Sequence, residues 1–183
     1  MKERLIKNLS DLEDIQSSIL EAASKLVERM KQPQSELDIL ADLKFNRPGF
    51  DPLEPENNYN IIEQTNQTFS YLVAIKGIRY LFRSFPGDSF LLNYGTNSGP
   101  DIRSSTGRIT AECFATRTPS NNSKLKGDIE RLEQEKADLK FLFFYAATGT
   151  VSRNYQERAT DSGIELIRFS NYEPADISTQ HFA

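Results

Sequence analysis

The chain has 183 residues, of which 38% are hydrophobic and 26% charged, and its formal net charge is −4. This composition is typical of a globular protein with a core of its own. No apolar run approaches the length of a membrane span, so no membrane partner is expected. The single cysteine and single histidine exclude an internal disulfide framework and a Cys/His zinc site. We therefore expect a protein of the reducing cytoplasm.

The first part of the chain carries a heptad pattern of apolar side chains. Apolar residues recur at alternating spacings of four and three from Leu5 to Met30, and Gln16 is the one interruption. This pattern predicts a long amphipathic helix over residues 2–31. Such a helix can pack on the globular body or pair with the same helix of a second copy. We place packing on the body first and keep a homodimer through this helix open.

A proline-rich stretch follows the first helix. Within residues 32–58, Ser35 is a suitable N-cap for a short helix that we predict over Ser35–Phe45. Residues 46–58 contain three prolines and are expected to be irregular. The sequence thus divides into an N-terminal helical extension with its connector, residues 1–58, and an α/β domain, residues 59–183.

The α/β domain shows alternating helix and strand patterns. We predict a helix over 60–85, strands over 89–94, 101–104 and 108–116, a helix over 125–134, a strand over 139–147, a helix over 154–162 and a strand over 164–169. This order predicts a mixed sheet covered by helices. The remaining residues, which include His181, are expected to form a frayed tail.

Two carboxylates occupy unusual positions in this order. Pro100 and Asp101 come at a turn just before one strand, and Glu112 lies within the next strand between Ala111 and Cys113. Burying a carboxylate among apolar residues is unfavourable unless a cation pairs with it. A metal ion could be that cation. The alternative for Asp101 is a purely local role in the turn.

The arrangement resembles the PD-(D/E)XK nuclease superfamily, in which Pro-Asp at one strand is followed by Glu-x-Lys on the next. Pro100 and Asp101 match the first half, and Glu112 begins the second, within residues 59–147. The resemblance implies a restriction-endonuclease-like αβββαβ core with a central mixed sheet flanked by helices. It also implies Mg²⁺, replaceable by Mn²⁺, held by Asp101, Glu112 and the backbone carbonyl of Cys113. The implied partner is DNA.

The match is incomplete at the lysine. Phe114 stands two residues after Glu112, where the superfamily has its lysine. In that superfamily a lysine of the following helix can take over, and Lys124 and Lys126 lie where this helix begins. Because two residues are about 200° apart around a helix, at most one of them can face the site, and we favour Lys126 as the deeper one. Glu63, on the preceding helix, resembles an additional glutamate of many members.

Two functions remain open at this point. The first is a metal-dependent DNA endonuclease of restriction or repair type. The second is a nuclease-like domain without catalysis that binds nucleic acid or assembles with another subunit. Residues 71–131 hold nine basic and five acidic side chains, which form either a binding patch or scattered solvated charges. What separates the two functions is whether a lysine reaches the two carboxylates.

Overall fold

The computed structural model describes residues 3–94, 99–119, 123–175 and 179–182. These residues form an α/β fold with five helices, a seven-stranded mixed sheet and a two-stranded sheet. The helices are α1 (Leu9–Met30), α2 (Glu36–Lys44), α3 (Ile61–Ser84), α4 (Ser123–Gln134) and α5 (Arg153–Asp161). The strands are β1 (Glu3–Ile6), β2 (Gly49–Phe50), β3 (Asn58–Tyr59), β4 (Phe90–Asn93), β5 (Ile102–Ser104), β6 (Ile109–Thr116), β7 (Leu139–Ala146), β8 (Ile164–Phe169) and β9 (Thr179–Phe182).

The main sheet joins an antiparallel half to a parallel half. Its order is β1-β4-β5-β6-β7-β8-β9. The pairs from β1 to β6 are antiparallel, whereas β6, β7 and β8 run parallel, and β9 is antiparallel to β8. Parallel neighbours need crossover connections, which α4 and α5 supply. In the antiparallel half, Ile102 pairs with Ala111, so the start of β5 lies beside the middle of β6.

The N-terminal segment begins with a strand, and the prediction of one helix from residue 2 is wrong there. The Asn8 side chain accepts a hydrogen bond from the backbone N–H of Asp11 at 3.0 Å and caps α1. Because this cap starts the helix at Leu9, Leu5 belongs to β1 and is 43% exposed. The buried stripe of α1, made by Leu12, Ile15, Ile19, Ala22 and Leu26, packs on the body against α3, as expected for the favoured alternative.

Side-chain alternation gives the sheet two apolar faces. On β6, Cys113 belongs to the core beneath α1 and α3, and Phe114 belongs to the core beneath α4 and α5. Glu112 lies on the Phe114 side and therefore faces α4. None of the helices within the described residues combines the length and the apolar character needed to cross a membrane.

Helix α3 lies very close to the sheet at Gly77. A Cβ added to Gly77 would meet Cδ2 of Phe143 at 2.7 Å. The ring of Phe143 is itself stacked between Phe141 and Phe169, with centroid distances of 5.6 and 5.8 Å. The absence of a side chain at Gly77 thus allows α3 to approach Phe143 of β7 closely.

Two segments predicted to be irregular contain strands. The expected frayed tail is wrong for residues 179–182, because β9 pairs with β8 and places His181 opposite Ile167. The His181 Nδ1 atom lies 3.0 Å from Glu165 Oε1. In the connector, Gly49 pairs with Tyr59 in the short sheet of β2 and β3. These three strands have two to four residues each, too few to form a periodic pattern.

Candidate functional site

Asp101 bridges β5 and β6 through its side chain. It follows Gly99, whose φ of 112° turns the chain, and Pro100. Its Oδ2 atom accepts a hydrogen bond of 2.7 Å from the backbone N–H of Cys113. In an Asx turn the side chain would bond a backbone N–H two residues further on, whereas Asp101 bonds one twelve residues further on, in β6. A purely local role in the turn therefore does not describe Asp101.

The backbone of Cys113 faces the same strand edge as Asp101. The carbonyl of Arg108, just before β6, accepts from the backbone N–H of Leu139, and the carbonyl of Thr116 accepts from that of Ala147. The backbone groups of even-numbered residues therefore face β7, and those of odd-numbered residues such as Cys113 face β5. Pro100, just before β5, has no N–H that could donate to the Cys113 carbonyl. The Cys113 carbonyl therefore faces the same strand edge as the N–H that bonds Asp101. Burial raises the pKa of the Cys113 thiol well above its usual value, which excludes a thiolate nucleophile at neutral pH.

Glu112 is held by an arginine of α4. The carboxylate is almost fully buried, and Arg131 binds it through two parallel hydrogen bonds, Nε to Oε1 at 2.8 Å and Nη2 to Oε2 at 3.0 Å. Arg131 also contacts Asp128. The hydrogen bond to Glu112 raises the pKa of Arg131, so the guanidinium stays charged. The cationic partner that a carboxylate in an apolar strand requires is thus an arginine in this structure.

Asp128 and Lys124 add a second acidic and basic pair from α4. The Lys124 Nζ atom lies 3.1 Å from Oδ1 of the fully buried Asp128. Burial raises the pKa of Asp128 to about 6, although the Lys124 charge opposes the shift. Burial by itself lowers the pKa of Lys124, but the charges of Asp128 and Asp101 outweigh it and the net shift is upward. Lys124 is therefore an ammonium ion beside two carboxyl groups.

Burial and the charges of Glu112 and Asp128 all raise the pKa of the Asp101 carboxyl. Burial raises its pKa well above the usual value, the charge of Glu112 raises it further, and Lys124 opposes both effects. We call Asp101, Glu112, Asp128, Lys124 and Arg131 the carboxylate cluster. The cluster thus holds three acids and two bases. A bound cation would relieve the repulsion between Asp101 and Glu112.

The lysine that joins the cluster is Lys124, whereas the sequence favoured Lys126. The Lys126 Nζ atom lies 3.8 Å from the exposed Glu130. The two lysines flank the apolar stripe of α4 on opposite sides, so depth within the helix does not decide between them. What decides is the side of the stripe on which Asp101 lies, and that depends on how α4 crosses the sheet.

Glu63 serves as a helix cap in the structure. It is exposed at the first turn of α3, where its carboxylate accepts from the Asn60 backbone N–H at 3.0 Å and Asn60 accepts from Glu63 in return. The residues of α3 that lie beside Asp101 come one and two turns later. Gln67 and Ser70 line a cavity of about 30 Å³ next to Asp101, which is room for one water-sized occupant.

Asp128 and Arg131 were missed by the sequence analysis. Their signal is the spacing of Lys124, Asp128 and Arg131, which places three charges on one side of α4 directly beside its apolar stripe. The Asp128 Oδ2 atom is buried and has no hydrogen-bond partner among the described residues. A buried acid with a free oxygen beside a lysine is a common feature of functional sites.

The residues present fit a hard divalent cation with few protein ligands. Within the described ranges, no group of three or more His, Cys, Asp or Glu side chains is arranged to hold a metal. Mg²⁺ usually keeps several waters and takes one or two carboxylates. Asp101, Glu112 and the Cys113 carbonyl would meet that requirement once Glu112 gives up a bond to Arg131.

Comparisons with known proteins identify no relative from which a function could be inferred. No protein-family profile, no curated protein and no solved structure matches the chain. The function is therefore argued from the carboxylate cluster and its surroundings.

Proposed function

We propose that the protein is a metal-dependent nuclease that hydrolyses phosphodiester bonds in DNA. The observation that carries the proposal is the convergence of Asp101, which immediately precedes β5, with Glu112 from β6 and Lys124 from α4. The order α3-β4-β5-β6-α4-β7, with three antiparallel strands and a fourth parallel to the third, supports a restriction-endonuclease-like core.

Four residues of the cluster have a role in this chemistry. When bound, Mg²⁺ would be held by Asp101, Glu112 and the Cys113 carbonyl, and would supply Lewis acidity and a polarised water. Lys124 would place its ammonium group against the negative charge that develops on the phosphate oxygens. Asp128 positions that ammonium group through the 3.1 Å contact. Phe114 contributes to the apolar wall where the superfamily has its lysine.

The direct test is cleavage of DNA by the purified chain. We expect Mg²⁺ or Mn²⁺ to support cleavage of plasmid and linear DNA, and Asp101→Asn to lower the rate by about 100-fold or more, since it removes a metal ligand. Asp14→Asn, on the exposed side of α1, is the matched control and should leave the rate unchanged. No cleavage of diverse DNA substrates with either metal would contradict the proposal.

A second candidate function is a nuclease-like domain that binds nucleic acid or a subunit without catalysis. The observation that favours it is the bidentate pair of Arg131 with Glu112, which already neutralises the carboxylate. Titration with Mn²⁺ separates the two candidates. Under the nuclease proposal Mn²⁺ binds and both Asp101→Asn and Glu112→Gln abolish binding, whereas the binding domain shows no Mn²⁺ affinity at these residues.

A further inference from the structure

A second cavity lies beneath α3, on the face of β6 to which Cys113 belongs. It encloses about 350 Å³, within the range of small-molecule and nucleobase sites, and is lined by Phe69, Tyr145, Tyr172, Arg117, Asn66 and Thr116. We call it the aromatic pocket. Ala115, which also lines it, comes two residues after Cys113, a distance of about 7 Å along a strand. The pocket therefore lies about that distance from Cys113, whose backbone N–H bonds the Asp101 carboxylate.

Three aromatic rings form the wall of this pocket. Tyr172 meets Phe69 edge to face at a centroid distance of 5.6 Å, and it meets Tyr145 in the same way at 5.7 Å. Tyr172 is 45% exposed, and the other two rings are half-buried. The pocket thus presents aromatic surface to solvent where a flat group can stack.

A buried lysine fixes the turn that carries Tyr172. Lys76 of α3 is fully buried, and its Nζ atom donates to the backbone oxygen and to the side-chain Oδ1 of Asn171, both at 2.8 Å. The same Oδ1 accepts from the Glu173 backbone N–H at 2.9 Å. Asn171, which precedes Tyr172, is thus bonded to Lys76, and Glu173, which follows Tyr172, is bonded to Asn171. A ring held in this way loses little conformational entropy when a ligand stacks on it.

The rim of the pocket supplies charge and hydrogen bonds. Arg117 is exposed at the end of β6, and Asn66 is exposed on α3. A guanidinium group can contact a phosphate or stack on a base, and an amide both donates and accepts at a base edge. An apolar side chain or a lipid tail would make no use of these groups, whereas a nucleotide uses all of them.

We propose that the aromatic pocket binds one unstacked nucleobase of the DNA strand whose backbone lies at the carboxylate cluster. The inference rests on the proposed function, because it takes nucleic acid as the ligand. Stacking of a base on an aromatic side chain contributes about 1–3 kcal/mol. The pocket would thereby set which nucleotide is presented beside the carboxylate cluster.

The test is DNA binding without metal, so that cleavage plays no part in it. Fluorescence anisotropy in EDTA compares a short oligothymidylate with an abasic backbone of equal length. We expect the wild-type chain to prefer the oligothymidylate, and Tyr172→Ala to weaken its binding by about 5- to 100-fold with little effect on the abasic backbone. Tyr172→Phe keeps the ring and should bind as wild type.

A matched control and a folding check complete the experiment. Phe45→Ala removes an aromatic ring that is 77% exposed elsewhere on the surface, and it should not change the affinity. Circular dichroism establishes that each variant is folded. Equal affinity of wild type and Tyr172→Ala for the oligothymidylate would overturn the inference, as would equal weakening of binding to both ligands. Loss of cleavage with retained base-dependent binding would overturn the nuclease proposal alone.

Discussion

Lys76 and Glu112 are both buried charged residues, one on each face of the sheet, and the protein satisfies them in different ways. Lys76 donates to two oxygens of Asn171 and lies 5.1 Å from the centroid of the Phe169 ring. Glu112 accepts from Arg131, whose side chain is about half exposed. The hydrogen-bond acceptors of Lys76 belong to Asn171, after β8, whereas the Glu112 partner is a partly exposed cationic side chain of α4.

Lys76 is therefore a structural charge, whereas Glu112 can exchange its cationic partner. Replacing the Asn171 oxygens would require the turn after β8 to move, because Asn171 also holds Glu173. Replacing Arg131 requires only a rotation of its side chain and another cation at Glu112. We therefore expect changes around Lys76 to appear as loss of stability and changes in the carboxylate cluster to appear as loss of activity.

The largest expected effect concerns the two lysines of α4. Lys124→Ala should lower the rate of Mg²⁺-dependent DNA cleavage by about 100- to 1000-fold, because it removes a preorganised charge at the reacting phosphate. Lys126→Ala removes a charge of the same kind that pairs with Glu130, and should change the rate by less than about threefold. A larger loss with Lys126→Ala would reverse the assignment.

The next largest effect concerns stability. Lys76→Ala should lower the free energy of unfolding by about 3 kcal/mol, because it leaves a cavity and removes the donor from two acceptors of Asn171. Lys25→Ala breaks an exposed pair with Glu21 and should cost less than about 1 kcal/mol. Urea denaturation measures both. Equal losses in the two variants would show that Lys76 is not a structural anchor.

The contribution of Asp128 to the free energy of unfolding should depend on pH. Its pKa rises from an ordinary 3.8 to about 6 in the folded chain, so the folded state binds the proton more tightly. Its stabilising contribution is full below pH 3.8 and is lost as the pH rises through 6. Asp128→Asn removes this dependence.

The measurement is the free energy of unfolding of both proteins across this pH range in EDTA. The difference, Asp128→Asn minus wild type, should become more positive by about 2 kcal/mol between pH 4 and pH 7. A difference that stays constant would mean that burial of Asp128 does not shift its titration.

The smallest expected effect concerns competition between Arg131 and a metal. Arg131→Met frees both oxygens of Glu112, so Mn²⁺ should bind about 10-fold more tightly, by analogy with the effect of neighbouring groups on metal ligands. The metal-free variant should be less stable, because Glu112 loses its partner. Calorimetric titration gives the affinity. Weaker Mn²⁺ binding would show that Arg131 supports the site.

The sequence predicts those parts of the fold and site that depend on local patterns. The helix over α3, the three strands β4 to β6 and the placement of Asp101 just before β5 and of Glu112 on the neighbouring β6 all follow from periodicity and turns. The edge strands β1 and β9 do not, because each has four residues, too few for a clear periodic pattern, and β1 in addition pairs with the distant β4. The choice of Lys124 over Lys126 depends on how α4 crosses the sheet, which periodicity alone does not fix.

Gly77 works as a spacer that sets the height of α3 above the sheet. With Phe143 stacked on both sides, the 2.7 Å approach of an added methyl group cannot be relieved by ring rotation alone, and the helix would have to lift. Residues on α3 that line the two cavities, among them Gln67, Ser70, Asn66 and Phe69, would lift with it. A methyl group added at Gly77, about two to three turns from these four residues, would thus widen both cavities together, so the dimensions of the two sites are mechanically linked through a single glycine.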